Sequence, residues 1–246
     1  MLCLNESPSP ATSLNHDIAM KTNLLLTLAL VIAPALFAAD PSPKDDLTAA
    51  AKKLADKTNY SWKTTTVVPE TARFKPGPTE GKTEKDGFTY VTMSFGDNLT
   101  EAAMKGDKAV ATNQDGDWQL ASELEGGEGR SRFLGRMVRN LKVPAAQVGE
   151  LVAAVKELKK DGDVFSGDMT EEGAKKQFRF GTPKNPEGSV KFWMKDGVLT
   201  KFETKVEGKM EFNGEEFDAS RTTTTEIKDV GTTKVNVPTD AKKKLG

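Results

Sequence analysis

Ser189-Val-Lys-Phe-Trp-Met194, then Lys195-Asp196-Gly197, then Val198-Leu-Thr-Lys-Phe-Glu-Thr-Lys-Val206, is the stretch that decides the fold class. Two runs of period-two alternation meet at an Asp-Gly step, where positive φ is free for Gly and tolerated by Asp, and such a pattern predicts a β-hairpin. The same grammar recurs on both sides. Upstream, runs at 88–95, 99–104, 109–112 and 118–120 are separated by Gly96-Asp97-Asn98, Lys105-Gly106-Asp107 and Asp115-Gly116. Downstream, Gly208, the run 210–212, the turn Asn213-Gly214 and a strand over 217–228 follow, with Gly231 and the run 235–238 expected to close the sheet. Arg221-Thr-Thr-Thr-Thr225 suits an edge strand or a face half in water.

Working outward, 60–68 alternates aromatic and β-branched residues with polar ones and predicts a first strand. Ahead of it, Leu47, Ala50, Ala51 and Leu54 recur at helical spacing behind Pro41-Ser-Pro43, which predicts an amphipathic helix over 45–57. Residues 69–87 carry three prolines and three glycines and read as a long loop, and acidic, Gly-rich 123–129 reads as a flexible connection. Two helices are expected in the middle of the chain. One spans 131–141 with Phe133, Leu134, Met137, Val138 and Leu141 on one side; the other spans 145–160 with Val148, Leu151, Val152, Val155 and Leu158. A short strand at 164–166 and a short helix over 169–176, with Thr170 as its N-cap, complete the reading.

Helices segregated from a long antiparallel sheet define an α+β fold. A sheet of this length must twist and curl, so an N-terminal helix and an inserted helix pair are expected to cover its concave face.

The 246 residues include 35 Lys and Arg, 36 Asp and Glu, one Cys and one His. Met20-Lys21-Thr22-Asn23, the apolar run 24–37 and Ala38-Ala39 have the layout of a secretory signal peptide. The run is too short for a spanning helix and holds Pro34. The expected organisation is therefore an upstream segment 1–19 from a misassigned start, a signal peptide over 20–39, and one domain over 40–246. Cys3, His16, one base (Lys21) and two acids (Glu6, Asp17) lie before residue 40, so the 207 residues from Asp40 hold 34 bases, 34 acids, no Cys and no His. That excludes a Cys nucleophile, a Ser-His pair, imidazole acid-base chemistry, Cys/His zinc sites and disulfides. A neutral chain also lacks the basic bias of a nucleic-acid binder. No cysteine follows the apolar run to receive a lipid, so a soluble, monomeric, exported protein without metal or cofactor is expected, and not an enzyme.

Two constellations remain. Tyr60, Trp62, Phe88, Tyr90 and Phe192 on strands, with Phe133, Met137, Leu151 and Val155 on helices, fit an apolar cavity between sheet and helix pair; ordinary core is the other reading of the same residues. Trp193 has the opposite parity to Phe192, so either it faces solvent or both sheet faces are covered. The helix at 131–141 also carries Arg132, Arg136 and Arg139, a basic face suited to an anionic membrane or an acidic partner, or simply to water.

Three stretches carry a resemblance to a known family: Tyr60-Ser-Trp62 opening the sheet after a helix, Phe165-Ser-Gly-Asp-Met-Thr-Glu-Glu-Gly-Ala174, and Val190-Lys-Phe-Trp-Met-Lys-Asp-Gly-Val-Leu199 leading to Thr225-Glu-Ile-Lys-Asp-Val-Gly-Thr-Thr-Lys234. In element order the chain resembles the periplasmic lipoprotein-carrier superfamily, and its C-terminal half resembles uncharacterised exported bacterial proteins. The resemblance implies an incomplete, strongly curved antiparallel barrel around an apolar cavity that shelters an acyl chain or a lipid-bearing partner, with a lipid or lipoprotein as partner. A regulatory or structural interaction domain of the cell envelope with no ligand is the alternative. Members anchored through a lipobox cysteine differ from this chain, which has none.

Overall fold

The computed structural model describes residues 42–72, 75–96, 98–178, 181–212 and 214–246. The upstream segment and the signal-peptide pattern lie outside the described residues, and Asp40–Gly246 form a compact unit of their own.

Helix α1 (Pro43–Ala55) starts at a capping box, in which Ser42 accepts from the Asp45 N–H and the Asp45 carboxylate accepts from the Ser42 N–H. The Ser42 hydroxyl also donates to the Asp45 carboxylate at 2.7 Å, and this bond first, then that from the Ser42 N–H, holds the Asp45 carboxyl below its ordinary range. The chain then runs β1 (Asn59–Val67), β2 (Pro76–Glu84), β3 (Thr89–Phe95), β4 (Asn98–Lys105), β5 (Lys108–Thr112) and β6 (Trp118–Leu120). Helices α2 (Ala121–Gly126), α3 (Gly129–Arg139) and α4 (Pro144–Ala154) follow. After them come β7 (Lys159–Asp161), β8 (Val164–Asp168), α5 (Glu171–Gln177), β9 (Lys184–Lys195), β10 (Val198–Phe212), β11 (Glu215–Asp218), β12 (Arg221–Lys228) and α6 (Thr239–Leu245).

All twelve strands join one antiparallel sheet in the order β6-β5-β4-β3-β2-β1-β12-β10-β9-β8-β7, with β11 paired to the far end of β10. The sheet does not close, since β6 and β7 are its ends. This is the expected α+β architecture, a curved antiparallel sheet left as an incomplete barrel. Asp196 and Gly197, at φ 52° and 70°, make the hairpin between β9 and β10.

On the inner face, Trp62, Gly81, Val91 and Ala102 lie in one cross-strand row, and Phe202, Phe192 and Phe165 in another. These residues share a single apolar core with Leu47, Leu54, Val148 and Leu151 from the helices. The outer face carries charge in register: Lys201, Glu226, Lys63 and Glu80 are successive cross-strand neighbours. Trp193 lies on this face, half-buried, with Lys201 Nζ 3.7 Å from its ring centroid.

Several expectations are corrected. The loop expected over 69–87 contains β2, a central strand. It tolerates prolines because Pro76 is its first residue and Pro78 falls in the register shift between Pro76 and Thr79. Part of the expected connection 123–129 is helical, as α2. The helix expected to reach residue 160 stops at Ala154, where Val155 turns extended at ψ 138° and its carbonyl accepts from Lys44 Nζ at 2.8 Å. Val155 and Leu158 keep the helical period yet are buried from beyond the end of the helix, and 159–161 form β7. The strand expected over 217–228 is broken at Ala219 and Ser220. Residues 235–238 pair with no strand and lead into α6, which has too few apolar residues to be read from periodicity. Threonine-rich β12 is no edge strand, because it is flanked by β1 and β10. Nor do α3 and α4 pack as a pair: α3 lies on α2 and β5, whereas α4 lies on α1 and α5.

Candidate functional site

The inner face is covered in two separate pieces. At one side α1 packs on β10 and α4 packs on α1, and Leu47, Leu54, Val148, Leu151 and Val152 are buried in the common core. At the other, α2 and α3 bury Leu124, Leu134 and Val138 against β5. The linker between them, 140–143, leaves Leu141 and Val143 half-buried at the boundary of the core.

Five of the nine cavity candidates come together in this core. Tyr60, Trp62, Leu151, Val155 and Phe192 are 3%, 4%, 5%, 2% and 0% exposed, so at each of them the interior is filled rather than hollow. Trp62 lies 5.9 Å from the Tyr60 ring and flat over Gly81, where a Cβ would come within 2.1 Å of Trp62 Cζ2. The Phe192 and Phe202 rings are 6.4 Å apart. The Tyr60 hydroxyl is pushed up to about 12 by burial, opposed by the hydrogen bond its oxygen accepts from the Ala145 N–H in the first turn of α4.

Phe88 and Tyr90 are elsewhere. They sit on the outer face, half-buried in a second apolar cluster formed with Val110, Val237, Ala241 and Leu245, so the last residues of the chain cover the back of β3 to β6. Lys105 and Lys242 flank the Phe88 ring at 5.1 and 5.6 Å. The Tyr90 hydroxyl donates to Glu101 and is held above its ordinary range by burial and by that carboxylate. A groove of about 530 Å³ beside this cluster is lined by Asp117, Trp118, Asp240, Lys243 and Lys244 among others, a set of mixed charge that includes none of the expected residues.

Phe133 and Met137 are on α3, but not where the periodicity puts them. The buried side of α3 is Leu134, Gly135 and Val138, because Gly135 packs directly on the α2 backbone: a Cβ there would lie 2.6 Å from Ala121 O and 2.7 Å from Glu125 N. At about 100° per residue, this turns the buried side roughly 70° away from the stripe read from the sequence. Met137 is left half-buried and Phe133 36% exposed, beside Arg132 and Arg136. Arg139 Nε lies 2.8 Å from Glu125 Oε1, an ion pair without hydrogen-bond geometry, and Arg132 Nε donates to Gly127 O.

Sequence reading missed a row of hydroxyls on the inner face. Thr64 and Thr66 share the parity of Trp62, and their neighbours in register are Thr79 on β2, Thr225 and Thr223 on β12, and, beside Thr223, Thr204 on β10. Thr64 and Thr225 are joined Oγ1 to Oγ1 at 2.9 Å, and Thr66 and Thr223 at 3.2 Å. Thr225 is buried; the other five are half-buried, although their strands are central. At the end of the row, Arg221 donates to Gln177 O and lies 5.0 Å from the Phe178 ring. The cross-strand parity was legible, but the partners across the sheet were not.

Among the described residues no group of three or more His, Cys, Asp or Glu is placed to hold a metal ion, and no helix is long and apolar enough to cross a membrane.

No family model matches the sequence, and no curated protein matches it. Solved structures do. The lipoprotein LppX of Mycobacterium tuberculosis is similar at 13% identity and a TM-score of 0.45, over 79% of this chain and 96% of that one. LprF of Mycobacterium bovis is similar at 13% identity and a TM-score of 0.44, over 81% and 98%. A LolA superfamily protein of Nitrosomonas europaea is similar at 9% identity and a TM-score of 0.33, over 79% and 95%. They include the kinds of protein that the motifs at 165–174 and 190–199 resemble.

Proposed function

We propose that the protein is exported, loses residues before Asp40, and acts as a monomeric, non-enzymatic binding protein that shelters an acyl chain or a lipid-bearing partner on the inner face of its sheet. One observation carries the reading. The inner face is continuous from a buried apolar core to a half-buried row of threonines at the centre of the sheet, where residues of central strands are ordinarily sealed. An amphiphile suits such a gradient, with its polar end near Thr66 and Thr204 and its tail reaching Phe202, Met93 and Trp62 once the helices over these buried side chains move aside. The driving force is burial of apolar area, at roughly 25 cal/mol per Å², so no nucleotide site is needed. The signal-peptide pattern at 20–39 supports export to the periplasm or beyond, and the absence of Cys and His after residue 40 supports a role without covalent chemistry.

The filled interior at Tyr60, Trp62, Leu151, Val155 and Phe192 favours a second reading, an envelope interaction domain with no ligand. Mass spectrometry of protein purified from its native envelope separates the two. The binding reading expects a lipid or lipoprotein present near one per chain and lost in Thr66→Trp, which places an indole across the row. Reproducible absence from the unaltered protein overturns it and leaves the interaction domain.

A further inference from the structure

The outward face of α3 is basic. Because Gly135 turns the helix onto α2, its exposed side presents Arg132, Arg136 and Asn140, with Phe133, 36% exposed, at the border of that face. No acidic residue occurs from Gly129 to Val143, which includes Arg130, Arg132, Arg136, Arg139 and Lys142. The neighbouring acids are largely engaged elsewhere. Glu125 pairs with Arg139, Glu150 with Lys142, and Glu123 accepts from the Leu120 N–H and faces Lys244 at 3.8 Å. Glu128 is exposed at the N-cap of α3. Among the described residues no carboxylate lies in ion-pair reach of Arg130, Arg132 or Arg136. This concentration of positive charge stands in a domain whose formal charge is zero.

We infer that this face is a docking surface for an anionic lipid bilayer. A flat membrane suits it better than an acidic protein does. Arg132, Arg136 and Arg139 follow one side of the 11-residue helix as a linear array. The single aromatic beside them is the residue type that settles at the headgroup level, while arginine side chains reach phosphates from the same depth. Attraction of cationic residues to an anionic surface is worth about fivefold in affinity each and falls off within a Debye length. The inference is independent of whether the inner face holds a ligand.

The test uses the chain from Asp40 onward, which is a compact unit and lacks the apolar run 24–37, in co-sedimentation with vesicles of phosphatidylcholine alone or with about one-third phosphatidylglycerol. Binding is expected only to the anionic vesicles, to weaken as salt is raised, and to drop about 30-fold in the double variant Arg132→Ser, Arg136→Ser. Lys242→Ser, Lys243→Ser and Lys244→Ser on α6, made together as a control, should leave it within about threefold. In Phe133→Trp, added fluorescence should shift to the blue on anionic vesicles and be quenched by brominated acyl chains. No binding by the unaltered protein, equal binding to neutral vesicles, unchanged binding by the arginine variant, or loss confined to the α6 variant each overturns the inference. Capture of an acidic protein without vesicle binding overturns it too. The substituted side chains are exposed, and thermal unfolding of each variant confirms that a lost signal is not lost fold.

Discussion

Gly135→Ala is a test whose sign depends on the packing of α2 against α3. In a helix interior, Ala is preferred over Gly by about 1 kcal/mol, so helix propensity alone predicts stabilisation. At Gly135, however, the new Cβ would meet Ala121 O at 2.6 Å and Glu125 N at 2.7 Å, both backbone atoms of α2 that cannot swing aside. Relief to ordinary contact requires a shift of about 0.8 Å between the helices, across an interface that keeps Leu124, Leu134 and Val138 at 1%, 7% and 0% exposure. Overpacking of this kind costs about 1–3 kcal/mol. Gly149 is the internal control, since it lies within α4 and a Cβ there meets nothing within 4 Å. The propensity gain is common to both substitutions, so the difference between them isolates the packing cost. Urea unfolding should find Gly149→Ala more stable than the parent by about 1 kcal/mol, with Gly135→Ala about 1–3 kcal/mol below Gly149→Ala at an unchanged m-value. Equal stabilisation by the two would refute the close approach of α3 to α2, and with it the rotation that puts Phe133 beside the arginines.

Two further predictions address the inner face. Gly81→Ala should destabilise by about 1–3 kcal/mol and alter the near-ultraviolet dichroism, because its Cβ would displace the Trp62 ring from 2.1 Å; adding Trp62→Leu should recover most of the loss. A neutral effect of Gly81→Ala alone would mean that Trp62 does not lie over β2. Tyr60, with its hydroxyl raised to about 12 in the fold and ionising near 10 when unfolded, contributes stability that is full below pH 10 and lost as pH rises toward 12. The loss is up to about 1.4 kcal/mol per pH unit, so Tyr60→Phe should flatten that part of the stability profile; identical slopes for parent and variant between pH 10 and 12 would show that the hydroxyl is not buried.

What could be read from the sequence followed from how local each cause is. The Asp196-Gly197 turn and the Thr170 cap of α5, where the hydroxyl accepts from the Gly173 N–H at 2.9 Å, depend on neighbours within three residues and are legible. Strand β2 was not, because Pro76, Gly77 and Pro78 read as loop, and the reason for Gly81 lies on β1, in the ring of Trp62. Val155 and Leu158 continue a helical period that the chain abandons at Ala154 to pair Val155 with Met169. Phe88 and Tyr90 were legible as strand aromatics, yet their cover is residues 235–245, some 150 positions away, so alternation alone could not tell which face they occupy. For α3 the decisive contact was a glycine, which apolar periodicity counts as nothing.

The division of the helices also bears on how a ligand would reach the interior. Lifting α1 and α4 would expose Leu47, Leu54, Val148, Leu151 and Val152, all buried, at about 1.5–3 kcal/mol each, a sum comparable to the whole stability of a domain. Lifting α3 exposes two buried large side chains, Leu134 and Val138, together with the covered parts of Phe133 and Met137, which are already partly exposed. The cheaper opening is therefore on the α2 and α3 side, at the linker where Leu141 and Val143 border the core. The element that opens at least cost is the one whose outer face carries Arg132, Arg136 and Phe133. A bilayer that held α3 by those residues would act on the helix whose displacement uncovers the apolar face, so docking and uptake would be coupled through one 11-residue element rather than through a distant switch.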